Sequence, residues 1–410
     1  MPVRPSYDAL CGELDRRRRI TLGFERIVAL LRLLGNPHHS LRIVQVVGTN
    51  GKGTTAVALA GTLEAAGRPS GAYLSPHVLS YTERVMLRGR FVSEEEFACT
   101  MSEVMEIADA NDVPATQFEI LTAGALAMFR DARLEWAVLE AGLGARHDAT
   151  SAAEATAVVL TNVGLDHTEY LGDTVEEITE EKLASLRPGS VLILGTEDPQ
   201  VIAIAREVSA RVRASIVVEH KKTEEQPYYK TGNAPYLACN ELLGMRAAEM
   251  LLGRSLRQAE RATVRMEPLP ARFEVHEVYG VPVVVDGAHN LEGLKAALRA
   301  VRERYGDRPL GVVFGALKGK DVGSMLSILR EAYAFVLTCP ADADGRALDP
   351  GWIEEVYAPR DAGGRGAWVV NDAAVALRTV VGEMEKVGGV VLVTGSLYTC
   401  AGVLRWLRGR

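Results

Sequence analysis

The sequence predicts an α/β protein in two parts: a larger N-terminal module on a mostly parallel sheet with a phosphate loop, and a smaller C-terminal α/β module. Three observations predict it. Short apolar runs alternate with longer amphipathic segments along the chain, the pattern of strands joined by covering helices. One run feeds directly into a glycine-rich turn holding a lysine, with an alanine-rich helical pattern after it. Two prolines in the segment Glu267–Arg272 then break a helical stretch before the alternation resumes. At 410 residues the chain exceeds one comfortable core. The expected division is 1–266 and 273–410, with 267–272 as linker.

In chain order, the expected N-terminal strands are Ile43–Val47, Trp136–Glu140, Ala157–Thr161 and Val191–Leu194. Each is short, apolar and rich in β-branched residues, as buried parallel strands are. Helical patterns fall between them at Thr54–Ala66, Ser93–Asn111 and Phe118–Arg133. Beyond the prolines the runs are Val281–Val285, Gly311–Phe314, Phe335–Thr338, Trp368–Val370 and Val390–Val393. The basic run Arg16–Arg19 sits in an amphipathic segment and reads as a solvated helix face.

Hydrophobic content of 48% and charged content of 24% are ordinary for a globular protein. A net charge of −7 gives no reason to bind nucleic acid or an anionic membrane. The five cysteines are scattered, which fits reduced thiols and offers no zinc pattern. The N-terminal residues lack the apolar core of a signal peptide, and no apolar stretch approaches a membrane span. A cytoplasmic, water-soluble protein is expected.

The chemistry concentrates where strands end. Ile43–Val47 runs into Gly48-x-x-Gly51-Lys52-Gly53-Thr54, a shorter form than the eight-residue Walker pattern. Glycines let backbone N–H groups converge on an anion, the helix that follows adds its dipole, and Lys52 adds a full charge. A hydroxyl at Thr54 or Thr55 is where such loops touch a metal-bound phosphate. Trp136–Glu140 ends in a carboxylate, placed as nucleotide-binding folds place the acid that holds Mg²⁺. After it comes a polar turn, Ala141–Thr150, with Arg146, His147 and Asp148 and little to bury. Ala157–Thr161 delivers Asp166 and His167. Ligands of open α/β sheets bind beyond the carboxyl ends of the strands, so Lys52, Glu140 and His167 are expected at one crevice. Lys182, among Glu176, Glu177, Glu180 and Glu181, reads from spacing alone as a surface ion pair. In the second half, Val281–Val285 delivers Asp286, His289 and Asn290 at a glycine turn, which reads equally as a capped Asp–Gly turn and as substrate-binding groups.

Taken together these blocks resemble the folylpolyglutamate synthase/dihydrofolate synthase family, a branch of the ATP-dependent Mur ligase superfamily. The matching blocks are GTNGKGT at Gly48–Thr54, SPH at Ser75–His77, TQFEILTAGALAMF at Thr116–Phe129 and VLEAGLGARHDAT at Val138–Thr150. LTNVGLDHTEYLGDT at Leu160–Thr174, EEK at Glu180–Lys182, PARFE at Pro270–Glu274, DGAHN at Asp286–Asn290 and VTGSLY at Val393–Tyr398 follow in the family's order. The resemblance implies a Mur-ligase-like ATP-binding domain and a Rossmann-like glutamate-ligase domain. It implies ATP held by Gly48, Thr49, Asn50, Gly51, Lys52, Gly53 and Thr54, with further contacts from Asn240, Arg272 and Asp286. Magnesium would sit on Ser75, Glu140 and His167. Lys182 would be carbamylated, its added carboxylate helping to hold a second ion. Catalytic roles fall to Lys52, Lys182, Asp286 and His289. The chain departs from the family at Ala145, Ser151, Leu183, Ala271 and Gly319.

The implied reaction is ATP-dependent addition of L-glutamate to a folate-type acid, dihydropteroate or a reduced folate, through an acyl phosphate, by a monomer. Two competing readings are a relative acting on a non-folate acid, supported by the departures at Ala145, Ser151 and Leu183, and a nucleotide-binding regulator without ligase activity. Intact Lys52, Glu140, His167 and Lys182 argue against the regulator.

Overall fold

The computed structural model describes residues 6–219, 234–330, 332–339, 345–352 and 368–409. The first five residues, on which the reading of the N-terminus partly rests, lie outside these. Contacts group the chain into two compact units that divide at Glu267–Pro268, with Tyr236 grouping with the second unit.

The first unit holds an eight-stranded sheet. Its strands are β1 (Arg42–Val47), β2 (Ser70–Tyr73), β3 (Val85–Leu87), β4 (Arg90–Phe91), β5 (Trp136–Glu140), β6 (Ala157–Leu160), β7 (Val191–Leu194) and β8 (Ser215–Val218). They lie in the order β4-β3-β2-β5-β1-β6-β7-β8. The run from β2 to β8 is parallel, and only β3 and β4 pair antiparallel. The central strand β1 is buried at every residue after Arg42, so Ile43, Val44, Val46 and Val47 pack both faces. Its helix, Lys52–Ala65, is buried along Ala56–Leu63, which explains why it carries no polar stripe.

The second unit holds six strands: β9 (Glu274–Val278), β10 (Val281–Val285), β11 (Leu310–Phe314), β12 (Ala334–Leu337), β13 (Trp368–Val369) and β14 (Val390–Thr394). The order is β13-β12-β11-β14-β10-β9, parallel except for the β9–β10 hairpin. That hairpin turns on Tyr279 and Gly280, both at positive φ, the geometry of a tight primed turn. Two α/β units with parallel-rich sheets agree with the expected fold class.

One expectation is corrected here. Arg16–Arg19 is not a helix face, because the N-terminal helix Tyr7–Arg16 ends as the run begins. Arg17 pairs with Asp109 at 2.7 Å, and Arg19 donates to the carbonyl of Pro114 at 2.6 Å. The arginines pin the end of that helix to the helix Glu94–Ala110 and the turn after it. Among the described residues no helix is long and apolar enough to cross a membrane.

Candidate active site

In the first unit the site begins at the end of β1. Gly51 caps the helix Lys52–Ala65 at φ 84°, a backbone that side chains disfavour. The helix therefore starts at Lys52, two residues before the expected Thr54, and its free N–H groups open onto the loop. Residues that follow β6 clamp the loop from one side. Thr161 Oγ1 donates to the Asn50 carbonyl at 2.7 Å, and the Asn162 side chain accepts from Asn50 N–H at 3.0 Å. Thr49 N–H donates to the Asn162 carbonyl at 3.0 Å. Lys52 Nζ folds back onto the Thr49 carbonyl at 3.2 Å, within the anion cradle.

Asn240 comes to this loop from far along the chain. It lies on the helix Pro235–Leu252, which passes so close to the loop helix that a side-chain carbon at Gly244 would stand 2.8 Å from Ala58 Cβ and from Leu59 N. That approach seats the Asn240 amide directly against Gly51. Thr55 Oγ1 secures it by donating to the Asn240 carbonyl at 3.2 Å.

Ser75 and Glu140 meet because β2 and β5 are neighbours. Ser75 N–H donates to Glu140 Oε2 at 2.8 Å, and both residues are buried. Ser75 Oγ has no hydrogen-bond partner among the described residues. A buried hydroxyl left unpaired beside a buried carboxylate is costly unless something else fills its shell. Hard oxygen donors of this kind suit Mg²⁺ or Mn²⁺. His167 sits at φ 52° at the start of the short helix Thr168–Leu171, and its Nδ1 is 4.0 Å from Glu169. No group of three His, Cys, Asp or Glu side chains poised for a metal occurs among the described residues. The donors present fit a magnesium-type ion through Ser75 and Glu140, and His167 follows β6, the strand beside β1.

Lys182 overturns the reading from spacing. It is 4% exposed, and its Nζ donates to the Gly48 carbonyl at 3.0 Å. Two of the surrounding glutamates pair with arginines instead: Glu181 with Arg146 at 2.8 Å and Glu180 with Arg211 at 3.2 Å. Burial, and secondarily the charge of Lys52, push the Lys182 amine down to about 7, while Asp166 and Glu181 oppose the shift.

The turn after β5 also differs from expectation, since it has a core of its own. Asp148 is buried and accepts N–H groups from Gly142 at 2.8 Å, Leu143 at 2.9 Å and Thr150 at 3.0 Å, as well as the Thr150 hydroxyl. Burial pushes its carboxyl above the usual range, and those bonds pull against it. Gln45, buried within β1, donates to Thr150 Oγ1 at 2.7 Å and Ser151 Oγ at 2.8 Å. Ser151 in turn donates to the Ala145 carbonyl at 2.7 Å. Asp148 and Gln45 thus organise the turn, and two of the departures are explained. Ala145 is not at positive φ, so a methyl group fits there, and Ser151 supplies a needed hydroxyl.

In the second unit Asp286 ends β10 and is buried. It accepts N–H from Ala288 at 3.0 Å and Phe273 at 2.9 Å, and the hydroxyl of Tyr236. His289 Nδ1 lies 3.0 Å from the Gly287 carbonyl. Arg272 lies between Ala271 and Phe273, which both adopt positive φ, 55° and 50°. At Ala271 a left-handed backbone costs about 1–2 kcal/mol. Ala271→Gly relieves that strain but loses a buried methyl of about 0.8 kcal/mol and adds flexibility to the unfolded chain. The expected net change is within about 0.5 kcal/mol of zero. Ala297→Gly, in the buried face of the helix Leu291–Tyr305, should instead cost about 1.5–2 kcal/mol. Denaturant midpoints of the two variants check this, and an equal loss in both would deny strain at Ala271.

A phosphate loop at the end of a central parallel strand, with a second α/β unit that carries its own strand-end polar cluster, fits an ATP-dependent ligase of the Mur class, and the family models match that class. Residues 46–234 match the Mur ligase middle domain, and residues 271–397 the Mur ligase glutamate ligase domain. The dihydrofolate synthase/folylpolyglutamate synthase of Escherichia coli K12 is 31% identical over 96% of this chain and 93% of its own. The folylpolyglutamate synthase of Mycobacterium tuberculosis complexed with ADP superposes with a TM-score of 0.89, at 28% identity over 98% of each chain. A bifunctional folylpolyglutamate synthase/dihydrofolate synthase with Mn, AMPPNP and L-glutamate bound gives 0.82, at 28% identity over 99% of this chain and 100% of that one. The chain belongs to the folylpolyglutamate synthase/dihydrofolate synthase family.

Proposed function

We propose that this protein is an ADP-forming ligase that joins L-glutamate to the carboxyl group of a folate-type acid, dihydropteroate or a reduced folate. The observation that carries the reading is the loop Gly48–Lys52, seated at the end of β1 with Asn240 on one side and the Lys182 amine on the Gly48 carbonyl. Near-complete coverage of relatives with that activity supports it. Residues 1–266 then form the ATP-binding part and 273–410 the glutamate-ligase part.

A carboxylate is a poor acyl donor because its leaving group would be an oxide. Attack of the substrate carboxylate on the γ-phosphate of ATP forms an acyl phosphate and releases ADP. The glutamate amine then attacks the acyl carbon, the amide forms and inorganic phosphate leaves. The loop N–H groups and Lys52 neutralise charge that grows on the transferring phosphoryl oxygens. Asn240 fixes the loop from the side of the helix Pro235–Leu252, and Arg272, Asp286 and His289 would contact the nucleotide and the reacting groups. Bound Mg²⁺ would supply Lewis-acid stabilisation of the phosphates. Ser75, Glu140 and His167 would hold one ion, and carbamylated Lys182 would help hold a second.

The deciding assay is ADP release with L-glutamate and either dihydropteroate or tetrahydrofolate, with products identified by mass. ATP binding without amide formation from any acid would favour a regulator and sink the ligase. Glu140→Ala and His167→Ala are expected to shift the Mg²⁺ titration of activity to higher concentration, with at best partial recovery. Unchanged titration curves would assign both side chains a structural role.

A further inference from the structure

Arg272 is held in an unusual backbone. The residues on both sides of it, Ala271 and Phe273, are left-handed without being glycine. Such conformations persist only where surrounding bonds over-determine them, and they cluster where a side chain must be aimed. Here two of the bonds end on one carboxylate and a third holds the Ala271 carbonyl. Phe273 N–H donates to Asp286 Oδ2 at 2.9 Å, Gly287 N–H donates to the Ala271 carbonyl at 2.9 Å, and Ala288 N–H holds Asp286 Oδ1 at 3.0 Å. Arg272 is confined as well: a side-chain carbon at Gly287 would stand 3.0 Å from its Nη1.

The remaining donor to that carboxylate is the hydroxyl of Tyr236, which shares Oδ2 with Phe273 N–H. Its ring packs edge-on against Phe273, with centroids 6.4 Å apart. A single side chain thus touches both the acid and the strained residue that the acid restrains. We propose that Tyr236 is a positioning residue of the ligase reaction: its hydroxyl fixes the Asp286 carboxylate, and through the Phe273 N–H bond it keeps Arg272 in its working pose. Tyrosine suits the task because a buried carboxylate oxygen that already accepts one N–H takes a second, stronger donor without an added charge. Phenylalanine would keep the packing and lose the donor.

The proposal rests on the ligase reading, and its test separates the two. Tyr236→Phe retains the ring, so a folding failure is not expected, and its melting temperature should stay near that of the parent. Turnover should fall roughly tenfold, the loss of one well-made hydrogen bond, while the KM for ATP changes by no more than about threefold. Amide hydrogen exchange should quicken at Phe273 and Ala288 and stay unchanged in the rest of the β9–β14 sheet. In the cycle of Tyr236→Phe with Asp286→Asn, the double variant should turn over no more slowly than Asp286→Asn alone, because Tyr236 acts through that acid. Wild-type turnover in Tyr236→Phe, fully additive losses in the cycle, or unchanged exchange at Phe273 would each overturn the proposal. Should the parent form no amide with any acid, the ligase reading fails, and the exchange experiment still decides whether Tyr236 holds Asp286 and Phe273.

Discussion

Replacement of Lys182 by alanine should lower turnover by about 10³-fold or more and leave the fold in place, on the scale of losing one preorganised transition-state group. The side chain is buried against the Gly48 carbonyl, where an ammonium beside Lys52 is poorly placed: burial and the second lysine both disfavour the charge. A neutral amine is the species that takes up CO₂ with loss of a proton to solvent, and a carbamate formed there would keep one N–H for the Gly48 carbonyl while adding a carboxylate to the site. The sign of the pH dependence follows. With the amine pushed down to about 7, its neutral fraction grows as pH rises through 7 and shrinks below it. Activity should therefore fall off on the acid side, and added bicarbonate should raise it most near neutrality. Acetate or formate should return part of the activity of Lys182→Ala by supplying the missing carboxylate. A fully active Lys182→Ala enzyme would end the carbamate assignment.

Lys52→Ala is expected to cost about 10²–10³-fold in turnover and to weaken ATP binding, the scale seen when a single preorganised group is removed from a developing anion. The helix it opens is held by buried residues from Ala56 to Leu63, so the variant should melt within a few degrees of the parent. Single-turnover phosphoryl transfer and nucleotide titration separate the two losses. Turnover at the parent level in Lys52→Ala would remove the loop from the reaction.

The contrast between these two lysines shows how far a sequence speaks. Lys52 was legible, because a β-branched run, a glycine turn and an alanine-rich helix are contiguous, and local geometry alone aims the group. The same holds for Glu140 and Asp286 at the ends of apolar strands, and for eight of the nine expected strands, whose apolar runs are largely buried; the ninth, β13, is exposed at Trp368 and Val369. The strands that escaped notice lack that signal. β2 reads Ser-Gly-Ala-Tyr, with small residues packed at the centre, while β8 and β9 alternate half-buried and exposed positions as sheet edges do. The only trace of β9 in the sequence is the Tyr279–Gly280 turn after it.

Lys182 read as a surface residue because its neighbours in sequence are acids, yet those acids pair outward with Arg146 and Arg211 while the lysine turns in. Gln45 gave no signal inside an apolar run, and Asp148, read as part of a polar turn with little to bury, proves buried. Their roles come from the strand order, which sets β1 between β5 and β6 and brings the turn after β5 against a buried glutamine. Asn240 needed a helix crossing that only Gly244 permits, and Tyr236 needed a carboxylate fifty positions away in the chain. What the sequence by itself determined was every feature fixed by neighbours along the chain: the fold class, the phosphate loop and the acids that strands deliver. What only the tertiary structure decided was which distant groups are buried together, since burial and hydrogen-bond partners depend on distances through space that no local pattern encodes.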